Sequence, residues 1–360
     1  MSSGDPQGTA AHAGSAGAPP QIVIQPQASA FGRYGKWLLT ALIVAVMAAA
    51  TMYSRYQNYF TPSDMPQERY HSLSKSATKK IAIIDISGAI MEGPESFAKR
   101  QIDRVREDKD VVAVVLRINS PGGTVTGSDY LLHHLRELAT ANDRKLPVIA
   151  SMGSVCASGG YYVAMAVGSQ PNSIYAEPTT WTGSIGVIIP HFDLSGTLDK
   201  IGVADDSIAS GKFKQMGTPT RPMTEEDRKL LQGLVDDSFK GFKAVVMSGR
   251  PTFKDDPAAL DAVATGQIFT ANQALERKLV DKIGFIEDAI SAAVGLSGLS
   301  AEEVRCVQYR RAPTFFGQLI GSETHLSPRG GTDLAALLDL AAPRAYYLWT
   351  WLPAALSNSR

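Results

Sequence analysis

Residues 146–162 read Leu146-Pro-Val-Ile-Ala-Ser-Met-Gly-Ser-Val-Cys-Ala-Ser158-Gly-Gly-Tyr-Tyr162. The apolar run from Leu146 to Met152 has the composition of a buried strand, and the small residues from Gly160 to Val167 suit a helix. Ser158 falls on the turn between them. A serine on a tight strand-to-helix turn can present its hydroxyl to a cleft. Behind it, the first turn of the helix supplies unpaired N–H donors at the positive end of a dipole. That arrangement suits a nucleophile with half of an oxyanion hole. It equally suits a plain helix N-cap, so the rest of the chain has to decide.

The same alternation of strand and helix extends on both sides. Ile81-Ala-Ile-Ile-Asp-Ile predicts a buried strand and residues 97–107 a helix. Val111-Val-Ala-Val-Val-Leu-Arg-Ile predicts a second strand, residues 128–141 a helix, and Ser173-Ile-Tyr-Ala a strand after the one at Leu146. Short apolar strands separated by helices predict an α/β fold of βα units around a mainly parallel sheet. Thr224-Glu-Glu-Asp opens a long helix reaching Met247. Its stripe of Leu230, Leu231, Leu234, Val235 and Phe239 reads as core. A further helix runs to about Val294.

The flanks differ in character. Residues 1–36 begin with a stretch rich in Gly, Ala, Ser, Pro and Gln, the composition of a disordered tail. Trp37 to Tyr53 is uncharged, with aromatic residues at both ends, and predicts a transmembrane anchor. A cleaved signal peptide is the alternative; the late start and the poor cleavage site at Ala49-Ala-Thr stand against it. Arg33 and Lys36 before the run balance Arg55 and Arg69 after it, so charge does not set its orientation. Residues 54–79 read as a polar stalk, 80–306 as the folded domain, and 307–360 as a C-terminal extension. In that extension 307–332 reads as a loop, and the apolar end near Trp351 is broken by Pro343 and Arg344.

Composition narrows the function. The chain has 360 residues, 44% of them hydrophobic, enough for a packed core. Its 35 basic and 35 acidic residues cancel, which argues against nucleic acid as a partner. Cys156 and Cys306 form no disulfide framework, and Cys156 reads as small apolar packing. The six histidines show no ligand spacing, so neither a metal nor another cofactor is expected.

Three further motifs join the Ser158 turn. Asn119-Ser-Pro-Gly-Gly123 follows the second strand, where glycines let backbone N–H groups approach a ligand. Thr182-Gly-Ser184-Ile-Gly186 precedes another apolar run. Ser210-Gly-Lys212-Phe-Lys214 is followed by Thr218-Pro219. Each alone is an ordinary turn or a solvated loop.

Together, in this order and spacing, they make residues 80–294 resemble the signal peptide peptidase A family. These are serine peptidases of family S49 with a Ser/Lys dyad, related in fold to the Clp protease and crotonase groups. Gly266-Gln-Ile-Phe-Thr and Leu279-Val-Asp-(x)2-Gly284 add to the resemblance. It implies Ser158 as nucleophile, Lys214 as general base (five residues before Pro219, with Lys212 as the competing lysine), and Ser184 as the residue orienting that lysine. Gly123 and Gly159 match the oxyanion donors, with Gly122 as an alternative for the first. A lysine serves as base only when burial disfavours its ammonium form, since its ordinary pKa is about 10.4; Phe213 and Met216 are the apolar neighbours available. One motif set is present, as in the short forms, and this implies a homo-oligomeric ring in which neighbouring subunits complete the site. The resemblance also implies a membrane-anchored endopeptidase facing outside the cytoplasm and acting on membrane-associated peptides such as signal peptide remnants. A crotonase-like acyl-CoA hydratase or isomerase, and a non-catalytic membrane scaffold, are the rival readings. The first does not explain a Ser158/Lys214 pair, and the second leaves both residues idle.

Overall fold

The computed structural model describes residues 30–60, 65–91, 93, 96–140, 146–311 and 346–348. The chain divides into two units, residues 1–62 and 63–360. The first holds helix α1 (Ala30–Phe60). Within it Tyr34–Tyr53, 20 residues of mean hydropathy 1.7, has no buried position. At 1.5 Å per residue that stretch is about 30 Å long, the thickness of a bilayer's hydrocarbon core. It is the one helix among the described residues long and apolar enough to cross a membrane. The helix continues through residues 54–60, the first part of the expected stalk.

The second unit runs β1 (Gln67–Leu73), β2 (Lys79–Ser87), α2 (Phe97–Glu107), β3 (Val111–Ser120), β4 (Gly122–Thr124), α3 (Val125–Ala139), β5 (Val148–Ala157), α4 (Gly159–Ala164). After a short 3-10 turn follow β6 (Ile174–Ala176), β7 (Trp181–Gly183), α5 (Ser195–Lys200), α6 (Glu225–Gly249), α7 (Thr252–Asp255) and α8 (Pro257–Val263). The chain then forms β8 (Ile268–Thr270), α9 (Ala271–Glu276), β9 (Lys282–Ile283), α10 (Ile286–Ser297), β10 (Val304–Arg310) and β11 (Tyr346–Leu348).

The main sheet has the order β1-β10-β2-β3-β5-β6-β9, with β7 branching from β5 and carrying β8. All pairs from β10 to β9 are parallel; β1 on β10 and β8 on β7 are antiparallel. The expected α/β architecture with a mostly parallel sheet is therefore the one observed. Its strands are continuous apolar runs because both faces are covered. Ala82, Ile84, Ile86, Val114, Leu116 and Ile118 face the side packed by α2, α3 and α4. Ile81, Ile83, Ala113 and Val115 face Ala289, Ile290 and Ala293 of α10.

Two boundaries differ from the sequence reading. Residues 67–73, expected in the stalk, form β1, and residues 307–310, expected as loop, complete β10. Gln-Glu-Arg-Tyr-His-Ser-Leu lacks an apolar run because an edge strand keeps one side toward solvent. It is fastened at a charge cluster: Lys80 Nζ lies 2.8 Å from Glu68 and 2.8 Å from Asp108. Burial opposes both charges, but the hydrogen bonds and mutual attraction outweigh it. They hold Asp108 below the usual carboxylate range and Lys80 above the usual lysine value.

The stripe on α6 is a larger correction. Thr224 and Asp227 form the expected capping box, yet Leu230 and Leu234 are exposed, and Leu231, Val235 and Phe239 are only half-buried. Of the stripe, Phe239 packs half-buried against the core, and beyond it Phe242, Val246 and Gly249 are buried, so it is the C-terminal half of the helix that meets the core. Helical periodicity reports a sticky face; it does not say which surface covers it.

Candidate active site

Strand β5 forks at its end. Ala150–Met152 pair with β6, and Val155–Ala157 pair with β7. Extending the strand to Ala157 puts Ser158 at the sheet's carboxyl edge, where α/β folds place their ligands. The Asn119 side chain helps hold that extension, accepting the Val155 N–H at 3.1 Å.

Ser158 has φ 53° and ψ −115°, a conformation a residue with a Cβ adopts only under constraint. Two backbone bonds impose it. Its N–H donates to the Gly183 carbonyl at 2.8 Å, and its carbonyl accepts from Tyr162 N–H at 2.9 Å in α4. Ser158 stands at the N-cap position, but its hydroxyl makes no capping bond. The plain N-cap reading thus does not account for it. The residue is 1% exposed, and its hydroxyl has no hydrogen-bond partner among the described residues.

Two glycines close around it. A Cβ on Gly159 would lie 2.4 Å from Ser128 Oγ and 3.1 Å from the Gly123 nitrogen. A Cβ on Gly123 would lie 1.8 Å from the Ile90 carbonyl oxygen. Only glycine lets these backbones approach so closely, and the approach brings the Gly123 and Gly159 segments together beside Ser158. The Gly123 turn is shaped by Ser120 Oγ, which accepts the Gly122 N–H at 3.1 Å, and by Thr124, which caps α3 through Gly127 N–H at 3.0 Å. Gly159 N–H opens α4 and has no intrahelical acceptor.

Ser184 is brought to the same region. Ala157 pairs with Gly183, and Ser184 has φ 52° with its N–H on the Gln267 carbonyl at 2.7 Å. It lines a groove of about 420 Å³ shared with Val187, Gln232, Val235, Phe239 and Gly266.

Lys214 is not brought there within one chain. It is exposed, lines a depression of about 550 Å³ with Leu198, Val203, Asp205 and Thr220, and no described residue bonds its ammonium. Lys212 is also exposed and pairs with Glu226. Phe213, the expected apolar cover, is itself exposed. The reason lies in the arm that carries them: from Gly186 to Glu226 no residue is buried. Phe192, Leu194, Ile201, Val203 and Ile208 stand exposed along it.

Several supporting residues lie in or beside these motifs, but nothing in the local sequence assigns them a role. Ser128 is fully buried against Gly159, with its hydroxyl on the Thr124 carbonyl at 2.9 Å. Thr182 Oγ1 ties β7 to the Cys156 carbonyl at 2.6 Å. The two tyrosines after Gly160 anchor α4, Tyr161 to the Leu279 carbonyl at 2.8 Å and Tyr162 to Asp129 at 2.7 Å. Cys156 is fully buried, and burial pushes its thiol up, so it is packing. One cluster among the described residues could offer ligands to a metal: His133, His134 and Glu137 on α3. There the Arg106 guanidinium already lies 3.3 Å from the carboxylate, and nothing connects it to Ser158.

A constrained serine whose hydroxyl makes no capping bond, beside two closely approaching glycine backbones at the carboxyl edge of a parallel sheet, has the local geometry that a hydrolase nucleophile requires. Comparison with known proteins narrows this. The sequence pattern of peptidase family S49 matches residues 140–300. A protein of Synechocystis sp. carrying the name protease slr0021 is 37% identical over 251 residues, 70% of this chain and 86% of that one. One named as signal peptide peptidase SppA, from Enterococcus faecium, is 34% identical over 67% of this chain and 70% of its own. Protease 4 of Salmonella typhi is 33% identical over 68% of this chain and 38% of its own length. The chain belongs to peptidase family S49. It is a serine-type peptidase, and peptides are its substrates.

Proposed function

We propose that Ser158 is the nucleophile and Lys214 the general base of a Ser/Lys dyad, with Gly123 and Gly159 N–H groups as the oxyanion donors and Ser184 orienting the lysine. The observation that carries this is the strained Ser158 turn, whose hydroxyl makes no capping bond and has no partner among the described residues. The neutral Lys214 amine takes the Ser158 hydroxyl proton as Oγ attacks the peptide carbonyl. The tetrahedral oxyanion rests on the two glycine amides, and the lysine returns the proton to the leaving amine. Water then enters by the same route and frees the acyl product.

A lysine base requires burial, and one chain leaves Lys214 exposed. The uncovered arm and the uncovered apolar face of α6 support a homo-oligomeric ring in which a second copy covers both. In that ring Lys214 of one copy serves Ser158 of its neighbour. The apolar helix at Tyr34–Tyr53 anchors the chain, with the peptidase domain outside the cytoplasm. Membrane-associated peptides, including cleaved signal peptides, are the substrates.

The test is hydrolysis of a fluorogenic apolar peptide by the full chain in detergent. Ser158→Ala and Lys214→Ala each abolish turnover, and Lys212→Ala does not. Mixing the two inactive variants before assembly restores activity, to about a quarter of the sites at equal random mixing. Full activity in Ser158→Ala would sink the mechanism, and no recovery on mixing would sink the shared site.

A further inference from the structure

Gly123 and Gly159 sit on different segments. Gly123 belongs to β4, which runs through the Thr124 cap directly into α3, and Gly159 opens α4. In sequence α3 and β5 lie between them, so the gap between the two amides has to be held from the side, where α3 lies against α4. Two successive residues of α3 make that attachment. Ser128 is packed against Gly159, and beside it Asp129 Oδ1 accepts the Tyr162 hydroxyl at 2.7 Å. Tyr162 also grips the nucleophile turn with its main chain, since its N–H donates to the Ser158 carbonyl at 2.9 Å. Between these two bonds the ring is 4% exposed and stands edge-on to Phe242 of α6, with centroids 5.2 Å apart. One residue joins the Ser158 turn to the helix that follows Gly123.

A phenol packed against an aromatic ring and bonded to a carboxylate has little freedom, and a hydrogen bond to a carboxylate is among the stronger kind. Resting on the reading of Gly123 and Gly159 as oxyanion donors, we propose that the Tyr162–Asp129 bond is the strut that sets the separation of those two amides. Both are positioning residues: they act through the glycine amides and not on the substrate. The oxyanion exists only in the tetrahedral states of the reaction, so a wrong separation slows turnover and leaves substrate binding unchanged. The bond adds little to folding, because Asp129 is exposed and water hydrates its carboxylate once the phenol is removed. Catalysis and stability therefore separate at this pair, which they do not at an ordinary helix-packing contact.

Removing an oxyanion donor outright costs about 10²–10³ in kcat, and a donor displaced but still present costs a part of that, about tenfold. The experiment uses the full chain in detergent with the apolar reporter peptide. Tyr162→Phe lowers kcat about tenfold and leaves KM within about twofold of the wild type. Asp129→Ala does the same. Asp129→Asn keeps an oxygen acceptor in place and recovers most of the lost rate, to within about threefold of the wild type. The double variant Tyr162→Phe/Asp129→Ala is down about tenfold, like each single variant, because the same bond is lost in all three. The affinity of an apolar peptide aldehyde supplies a readout that a merely structural role does not move. Its adduct with Ser158 places an oxyanion on the glycine amides, so in Tyr162→Phe it binds about tenfold more weakly, in step with kcat. The proposal is overturned by a kcat of Tyr162→Phe within about twofold of the wild type, by a loss that appears in KM alone, or by a double variant down about a hundredfold. Ser158→Ala, run alongside, separates the two readings. If it is inactive while Tyr162→Phe turns over and binds the aldehyde as the wild type does, only the strut fails. If Ser158→Ala stays active, the reading of the site itself fails.

Discussion

Replacing Ser158 by glycine should make the protein more stable than replacing it by alanine, although both remove the same hydroxyl. The φ of 53° and ψ of −115° at Ser158 lie where a Cβ is crowded, and holding a residue there costs about 1–3 kcal/mol. Alanine keeps the Cβ and hence the strain. Glycine releases the strain but is more flexible in the unfolded chain, which costs about 0.5–1 kcal/mol relative to alanine. The difference of the two ranges is about 0–2.5 kcal/mol, with a mid-range advantage for glycine of about 1 kcal/mol. At about 2–4 °C per kcal/mol for a domain of this size, Ser158→Gly should melt about 2–4 °C above Ser158→Ala. The assay is thermal unfolding of both full-length variants in the same detergent, scored beside turnover, which both should lack. A Ser158→Gly variant that melts at or below Ser158→Ala would refute the claim that the fold stores strain at this serine. Whatever the hydroxyl itself contributes to stability is missing from both variants and cancels between them.

Two other outcomes are expected. The Lys80–Asp108 contact ties β2 to the end of α2, with the Asp108 carboxyl held below its ordinary 3.8 and Lys80 above its ordinary 10.5. The Asp108 contribution is therefore complete above about pH 4 and lost as pH falls through the lowered folded value, and the Lys80 contribution is complete below about pH 10 and lost as pH rises through the raised one. The urea midpoint difference between wild type and Asp108→Asn should be constant from about pH 5 to 9 and shrink below about pH 4; a difference independent of pH would contradict this. The second concerns Arg250 and Asp281, which pair at 2.7 Å with little exposure, while the other Asp281 oxygen accepts Ser173 N–H at 2.9 Å and Ile174 N–H at 3.0 Å. Asp281→Asn leaves the Arg250 charge buried without its counter-ion and should cost about 3–5 kcal/mol in chemical unfolding. A loss below about 1 kcal/mol would show that the pair is replaceable.

Much of the fold was legible because its signals are local. The strands at Ile81, Val111 and Leu146 are apolar runs bounded by turn residues, and the cap of α6 is written in Thr224 and Asp227. The Ser158 turn was legible as well, since a strand, a serine and two glycines can be read in order. Edge elements were not: β1 and β10 owe their ends to pairing with each other, over a sequence separation that no local pattern records.

The sequence by itself determined the α/β class, the membrane-length apolar helix, and the set of candidate residues Ser158, Gly123, Gly159, Ser184 and Lys214. Tertiary structure decided which of these meet. It bent Ser158 into a conformation that hydrogen bonds to Gly183 and Tyr162 sustain, and it pressed Gly123 against Gly159 at separations only glycine permits. It also left Lys214 on an arm with no buried residue and laid Tyr347 on Gly123. The reason is physical. Periodicity and turn chemistry are properties of neighbouring residues, whereas close approach, strain and occupancy of a strand edge exist only between segments that folding brings together.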